Sequence, residues 1–276
     1  MSAIRLLPKP AARVSLHKLC GCSLRKGNPA VTAVGRYVEG KQAKAVRKLE
    51  AVLRNHAASI AKQVAKLWVN KMLKADSTDA MIKSILAELE LNGMSIDLID
   101  SLIPEMVRAF KSAGILGIGQ VGITADADMT HHLDKAALAY ADAHGAELVT
   151  GINSTTEDAL RGTLTEAVKG GWSTQELSAS IQESFAFDAA RANTIARTEL
   201  ATAHVQGNVQ GWRETGQVAG KEWVLGDMHD INDECDDNAA DGIVPMEAAF
   251  SSGHKFPPAH PNCICDVLPV LSEEGA

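Results

Sequence analysis

A mainly helical fold with a small C-terminal α+β module and an extended basic N-terminal arm is what this chain predicts, and three observations carry the expectation. Aromatic residues make up only 4% of the 276 residues while alanine and leucine abound, which favours helices packed through small side chains over a sheet sandwich. Apolar residues recur at three- and four-residue steps from about Lys41 to Glu214, the period of a helix. Beyond Gly216 and Gly220 the runs turn short and alternating, the pattern of strands. With 46% apolar residues the chain can bury a sizeable core, in one large domain or two smaller ones.

Charge is distributed unevenly. Residues 1–75 hold 16 Lys and Arg against Glu39 and Glu50, a balance of +14; the remainder holds 11 basic and 32 acidic residues, a balance of −21. Such polarity points to a basic segment meeting a polyanion or an acidic protein surface, with a merely solvated tail as the plain alternative. No stretch approaches the roughly 18 apolar residues of a membrane span. Met1 to Lys9 is basic but has neither the apolar core nor the cleavage site of a secretory signal. Five cysteines, an odd number, do not suggest a disulfide framework and make a reducing cytoplasm the default setting.

Residues 1–40 read as an extended arm: they lack periodicity and carry Pro8, Pro10 and Pro29. His17, Cys20 and Cys22 lie together there but offer one donor too few for a closed zinc site. A helical region, 41–113, follows. Its first helix, Lys41 to Ala75, has an apolar stripe of Val46, Leu49, Leu53, Ala57, Ile60, Val64 and Leu67 flanked by Lys41, Lys44, Arg47, Lys48, Arg54, Lys62, Lys66 and Lys71. Membrane surface, nucleic acid and a partner helix all fit a basic amphipathic helix; packing onto protein is preferred, because the stripe includes alanine and has Trp68 only at its end, whereas bilayer-surface helices show a bulkier apolar face. Asp79 is expected to cap a short helix ended by Asn92-Gly93, and Ser95 to open another through Pro104 to Ala113.

Gly114 to Gly122 has the glycine density of a phosphate loop without its Gly-Lys-Ser or Gly-Lys-Thr ending, so 114–127 reads as a flexible connector or a short strand. Within 128–276, helices are expected over 128–149, from the Asn153 cap region to Val168, and from the Ser173 cap to Phe185. His131 and His132, adjacent on the first, point to different sides and cannot share one ion. The next helix, Asp188 to Glu214, places Gly207 and Gly211 where another backbone should approach closely. Strands are expected at Lys221 to Leu225, Gly242 to Pro245 and Cys263 to Val270.

The last strand would set Cys263 and Cys265 on one face, with His260 just before it, and Cys235 supplies a fourth donor from upstream. Cys235, His260, Cys263 and Cys265 are therefore the candidate ligands of a structural zinc, with His229, His254 or a carboxylate able to displace one of them. Reduced thiols packed as small apolar residues are the alternative. A sheet of so few residues has little core, and a metal crosslink would supply what it lacks.

The order Trp223 to Asp227, Cys235 to Gly242, Phe250, then Pro257-Pro-Ala-His-Pro-Asn-Cys-Ile-Cys265, preceded by Arg197-Thr-Glu199, resembles the C-terminal signature of phage head morphogenesis proteins, the Mu F-like minor head family. The resemblance covers about residues 185–270. Two departures stand out: Asn238 where many members have a second cysteine, and Ile264 where many have arginine. It implies a non-enzymatic virion protein, made in the host cytoplasm, that acts in head assembly or DNA ejection. Its partners would be the portal protein and the major capsid or scaffolding protein, with DNA as a further contact for Lys41, Lys44, Arg47, Lys48, Arg54, Lys62 and Lys66. Arg197, Glu199, Trp223, Asp227 and Asn262 would be structural motif residues, with Arg197 and Glu199 tying their helix to the C-terminal module. The alternatives are a metal-dependent nuclease using His260, Asn262 and acidic or histidine residues at 227–230, or a cationic nucleic-acid-binding protein.

Overall fold

A computed structural model describes residues 33–72, 77–226 and 233–272. Most of the predicted arm, with His17, Cys20 and Cys22, lies outside these residues, as do Asp227 and His229. The described residues form two compact units: a sheet-bearing unit from those within 33–39, 108–137 and 200–272, and a helical unit from those within 40–107 and 138–199. The predicted class, mainly α with a small C-terminal α+β module, is what the described residues form.

The elements are α1 (Ala33–Met72), α2 (Thr78–Ala87), α3 (Leu91–Gln120), α4 (Ala127–Gly170), α5 (Thr174–Gln182), a 3-10 turn (Phe185–Phe187), α6 (Ala189–Thr215), β1 (Val218–Val224), α7 (Glu234–Ala240), β2 (Ile243–Pro245) and β3 (Asp266–Leu271). Helix α1 starts eight residues earlier than its periodicity suggests, taking the end of the predicted arm into a helix. Its buried stripe runs through Ala45, Leu49, Leu53, Ala57, Ile60, Val64 and Trp68 rather than through Val46 and Leu67.

Three further boundaries differ from the sequence reading. Ser77, not Asp79, caps α2, its hydroxyl accepting from the Ala80 N–H, because the first N–H groups of a helix need an acceptor just outside it. Asn92-Gly93 does not end a helix; it lies in the first turn of α3, where Gly93 costs little. Residues 127–170 form one helix without a break at Asn153. The Thr155 and Thr156 hydroxyls donate back to the Gly151 and Ile152 carbonyls, so hydroxyls that resembled caps are absorbed inside the helix. Downstream the punctuation is as expected: α4 ends at Gly170, Trp172 N–H reaches the Ala167 carbonyl, and Ser173 with Glu176 forms a reciprocal capping box on α5.

In the helical unit, polar ties cross between helices. Arg191 donates to the Thr156 hydroxyl and to the Ile152 and Ala186 carbonyls, so its buried guanidinium is well supplied with acceptors. Buried Ser95 meets Asn153.

In the sheet-bearing unit the glycine-rich stretch is the main revision. Gly114, Gly117 and Gly119 belong to α3, which continues to Gln120 and so is neither connector nor strand there. It stops at Gly122, at φ +83°, with Ile123 N–H bonded to the Ile118 carbonyl and Gly122 N–H to the Gly119 carbonyl. Gly117 serves packing against α6, Gly114 leaves room for the Leu133 side chain, and Gly119 faces open space. A methyl group at Gly207 would overlap the Phe110 carbonyl, one at Gly211 the Gly114 carbonyl, and one at Gly117 the Asn208 carbonyl. The close backbone approach expected at Gly207 and Gly211 is present, and its partner is α3, at Phe110 and at Gly114, the first residue of the stretch that resembled a loop. Trp212, fully buried, donates to Gln120 Oε1 at 2.8 Å at the end of this crossing.

The sheet has strand order β2-β1-β3, antiparallel throughout, with Lys221 opposite Val244 and Pro269, and Trp223 opposite Val267. Cys263 and Cys265 precede β3 instead of lying within it, because the strand begins at Asp266.

Gly211→Val should destabilise the protein by about 1–3 kcal/mol or prevent folding, since neither backbone can retreat. Gly151→Ala, at an exposed helical position with open space around it, should stabilise by about 0.5–1 kcal/mol. Thermal unfolding of the two variants checks both signs.

Candidate metal centre

Two local structures build the site. The first is α7, capped by Asp233, whose Oδ1 accepts the Cys235 N–H at 2.8 Å; this fixes Cys235 in the helix's first turn. The second is the turn His260-Pro261-Asn262-Cys263, closed by the Cys263 N–H to the His260 carbonyl at 3.2 Å. Pro261 at the second position and Asn262 at φ +65° at the third follow the type II pattern, in which asparagine tolerates the left-handed region. Asn262 is thus a structural residue of the turn that presents His260 and Cys263 together.

The three sulfurs of Cys235, Cys263 and Cys265 lie within 4.8 Å of one another, all buried and reduced. Cys235 Sγ is 3.7 Å from Cys263 Sγ and 3.5 Å from His260 Nε2. The other imidazole nitrogen, Nδ1, is 3.0 Å from the Pro261 carbonyl, an arrangement in which Nδ1–H donates and the Nε2 lone pair faces the sulfurs. The Gly226 N–H reaches Cys265 Sγ at 3.4 Å, and a side chain at Gly226 would collide with Ile264.

These distances suit a tetrahedral ion. Bond lengths of about 2.3 Å to sulfur and 2.0–2.1 Å to nitrogen separate two sulfur ligands by about 3.8 Å, and sulfur from nitrogen by about 3.6 Å. The observed 3.7 and 3.5 Å fall close to those edges. Among the described residues Asp233 Oδ2 accepts no hydrogen bond, although it lies 3.1 Å from His260 Nε2. A carboxylate oxygen without a hydrogen bond, set against an imidazole nitrogen and near a sulfur, is a surrounding that a cation would suit. The donor set fits a metal.

Protonation points the same way. Hydrogen bonds from the Cys235 and Cys265 thiols hold the Cys263 thiol far below the ordinary range, so Cys263 is the first to ionise. The bond to Cys263, with Cys265 and burial, drives Cys235 far up. The Cys235 hydrogen bond lowers Cys265, but the Cys263 thiolate and burial outweigh it and push Cys265 up to about 12. Burial pulls His260 down, yet the Pro261 carbonyl and the charges of Cys263 and Asp233 leave it raised. Three thiols and an imidazole so close together hold protons that a divalent cation would displace.

In the same module, Lys221 is fully buried on β1, where its ammonium donates to the carbonyls of Pro245, Met246 and Ala248 at 3.2, 2.7 and 2.6 Å. It also faces the rings of Phe250 and Phe256, at 5.2 and 4.6 Å. Burial lowers it to about 8. With its three protons placed on oxygen it remains a cation at neutral pH, clamping the loop that leads to the cysteines onto the sheet. Trp223, on the same face, packs edge-on against Phe250 at 5.1 Å. Asn238, where many members of the family resembled have a cysteine, is buried and accepts from Ser252 N–H, so that position serves the loop.

Residues 158–268 match the family model of Phage Mu protein F like proteins. That span contains every residue of the centre, and the match supports the Mu F-like resemblance read from the order of motifs. The comparisons with curated proteins and with solved structures gave no match.

The other predicted residues are scattered. Glu199, expected to tie its helix to the C-terminal module, has its carboxylate 2.6 Å from His144 Nε2, on α4. Arg197 is half-buried, and its Nε has no hydrogen-bond partner among the described residues. On α1, Lys44 and Lys48 each lie 3.3 Å from Glu105, and Arg54 pairs with Glu50. Lys41, Arg47, Lys62 and Lys66 are exposed. His254 bonds Ser252 instead of joining the cysteines. Asp233 and Lys221 were missed as site residues. The one signal for Asp233 was a cap-type residue two positions before Cys235; for Lys221 there was none, because a lysine in an alternating strand reads as solvent-facing.

The Glu199 carboxylate raises His144 through its hydrogen bond. The stabilisation from this pair is therefore fully present below the ordinary histidine value of 6.5 and fades as pH rises through the raised one. In Glu199→Gln, the His144 titration followed by NMR should move down, and the loss of stability should be larger at about pH 5.5 than at about pH 9.

Proposed function

We propose that the chain is a minor head protein of a phage, acting in capsid assembly without catalysing a reaction, with a C-terminal module held by a structural zinc at Cys235, His260, Cys263 and Cys265. The observation that carries the zinc is the convergence of three buried sulfurs and one imidazole nitrogen at tetrahedral spacings. Zinc suits that donor set better than calcium or magnesium, which take oxygen ligands. The family match at residues 158–268 supports the role in the head. A nuclease would need His260 free as a base, whereas its Nε2 faces Cys235 at 3.5 Å.

The chain would sit at the portal vertex and touch either an acidic portal surface or DNA through α1. Lys41, Arg47, Lys62 and Lys66 are the cations available for this, since Lys44 and Lys48 are already engaged by Glu105. No helix among the described residues is long and apolar enough to cross a membrane.

Mass spectrometry of purified particles of the phage encoding this chain tests the reading. It should find the chain at a few copies per head, far below the major capsid protein; absence from heads at every stage of assembly would overturn it. For DNA binding, replacing Lys41, Arg47, Lys62 and Lys66 by alanine should weaken affinity uniformly across sequences. It should also reduce the slope of log affinity against log salt by about one for each phosphate that is no longer neutralised. Lys44→Ala with Lys48→Ala should change that slope less.

A further inference from the structure

The centre holds one donor more than a four-coordinate ion requires. Cys235, Cys263 and Cys265 form one mutually close group, and Asp233, Cys235 and His260 form a second, with Cys235 in both. Three thiolates leave one position open, and two groups face it: His260 Nε2, 3.5 Å from Cys235 Sγ, and Asp233 Oδ2, 3.1 Å from that nitrogen.

Asp233 divides its work between its two oxygens. Oδ1 caps α7 by accepting from the Cys235 N–H at 2.8 Å. Oδ2 accepts no hydrogen bond among the described residues. Capping accounts for the first oxygen; the second lies against His260 Nε2 and, with Cys235, completes a group whose three donor atoms are close enough to hold one ion. Zinc accepts carboxylate oxygen at about 2.0–2.2 Å as well as imidazole nitrogen, so either neighbour can satisfy the open position.

Resting on the metal reading above, we propose that Asp233 is a metal donor of this centre, interchangeable with His260 in the fourth position. The ion then binds both the first turn of α7 and the residue that caps it, so metal occupancy and the start of this helix are one event. Asp233 also makes the centre tolerant of losing His260, which a set with a single nitrogen donor would not be.

The test uses the full chain with Zn(II) and Co(II) as probes and a competing chelator. Asp233→Ser keeps a capping hydroxyl while removing the second oxygen, so α7 retains its cap. His260→Ala removes the imidazole. Each single variant should retain one equivalent of metal and the intense ligand-field bands of tetrahedral cobalt, with zinc affinity reduced by about 10- to 100-fold. The double variant should lose more than the product of the two single losses, by at least about tenfold, because only then is the fourth position without a protein donor.

Asp233→Ser binding zinc as the unchanged chain does, and adding nothing to His260→Ala, would overturn the role of Asp233 while leaving the metal centre standing. No cobalt uptake by the unchanged chain, or uptake unaffected by Cys263→Ser, would overturn the metal reading and this proposal with it.

Discussion

The convergence of Cys235 with His260, Cys263 and Cys265 is the constraint on which the C-terminal module depends. Three short strands, one of only three residues, cannot bury enough apolar surface to stand alone. The long stretch between β2 and β3 has little regular structure of its own, so its course is set by specific ties. Lys221 holds its beginning through three carbonyls, Asn238 and Asp241 accept from Ser252 and Ser251 in its middle, and the cysteines anchor its end. Each tie joins residues distant in sequence, and the sulfur cluster joins the most distant of them, across α7. A metal there converts a set of proton-sharing thiols into a fixed crosslink.

A second constraint shapes the rest of the sheet-bearing unit. Helices α3 and α6 meet backbone to backbone at Gly114, Gly117, Gly207 and Gly211. Two of these glycines were legible as a packing surface because they lie at four-residue spacing within a clear helical period. Gly114 and Gly117 were not, since clustered glycines between apolar residues signal a turn as strongly as a packing face. What decides between the two is the partner backbone, which a single sequence does not display. The same holds for Asn92-Gly93 and for the hydroxyl residues near Thr155: local chemistry offered a break, and the surrounding helix had a cheaper use for it.

The converging cysteines and histidine were legible for a different reason. Cysteine and histidine within six positions, stiffened by Pro257, Pro258 and Pro261, leave few other purposes for those side chains. Their place among the elements was less clear, because the cysteines sit in the loop before β3, where a turn rather than a strand aims them. Asp233 and Lys221 remained hidden because the imidazole nitrogen beside Asp233 and the three carbonyls around Lys221 are brought to them only by folding. The basic face of α1 was legible as a charged stripe. Its partition into residues tied to Glu105 and residues facing solvent required the position of α3.

Whether the module contains a metal decides between a crosslinked unit and a loop held by thiols and carbonyls alone. The most direct measurement is the metal content of the full-length chain purified under reducing conditions, with unfolding recorded before and after a strong chelator. One equivalent of zinc per chain, with a clear drop in unfolding temperature on chelation, is the predicted result. Zero metal in zinc-replete preparations, with unfolding indifferent to the chelator, would contradict it and leave the cysteines as ordinary core residues.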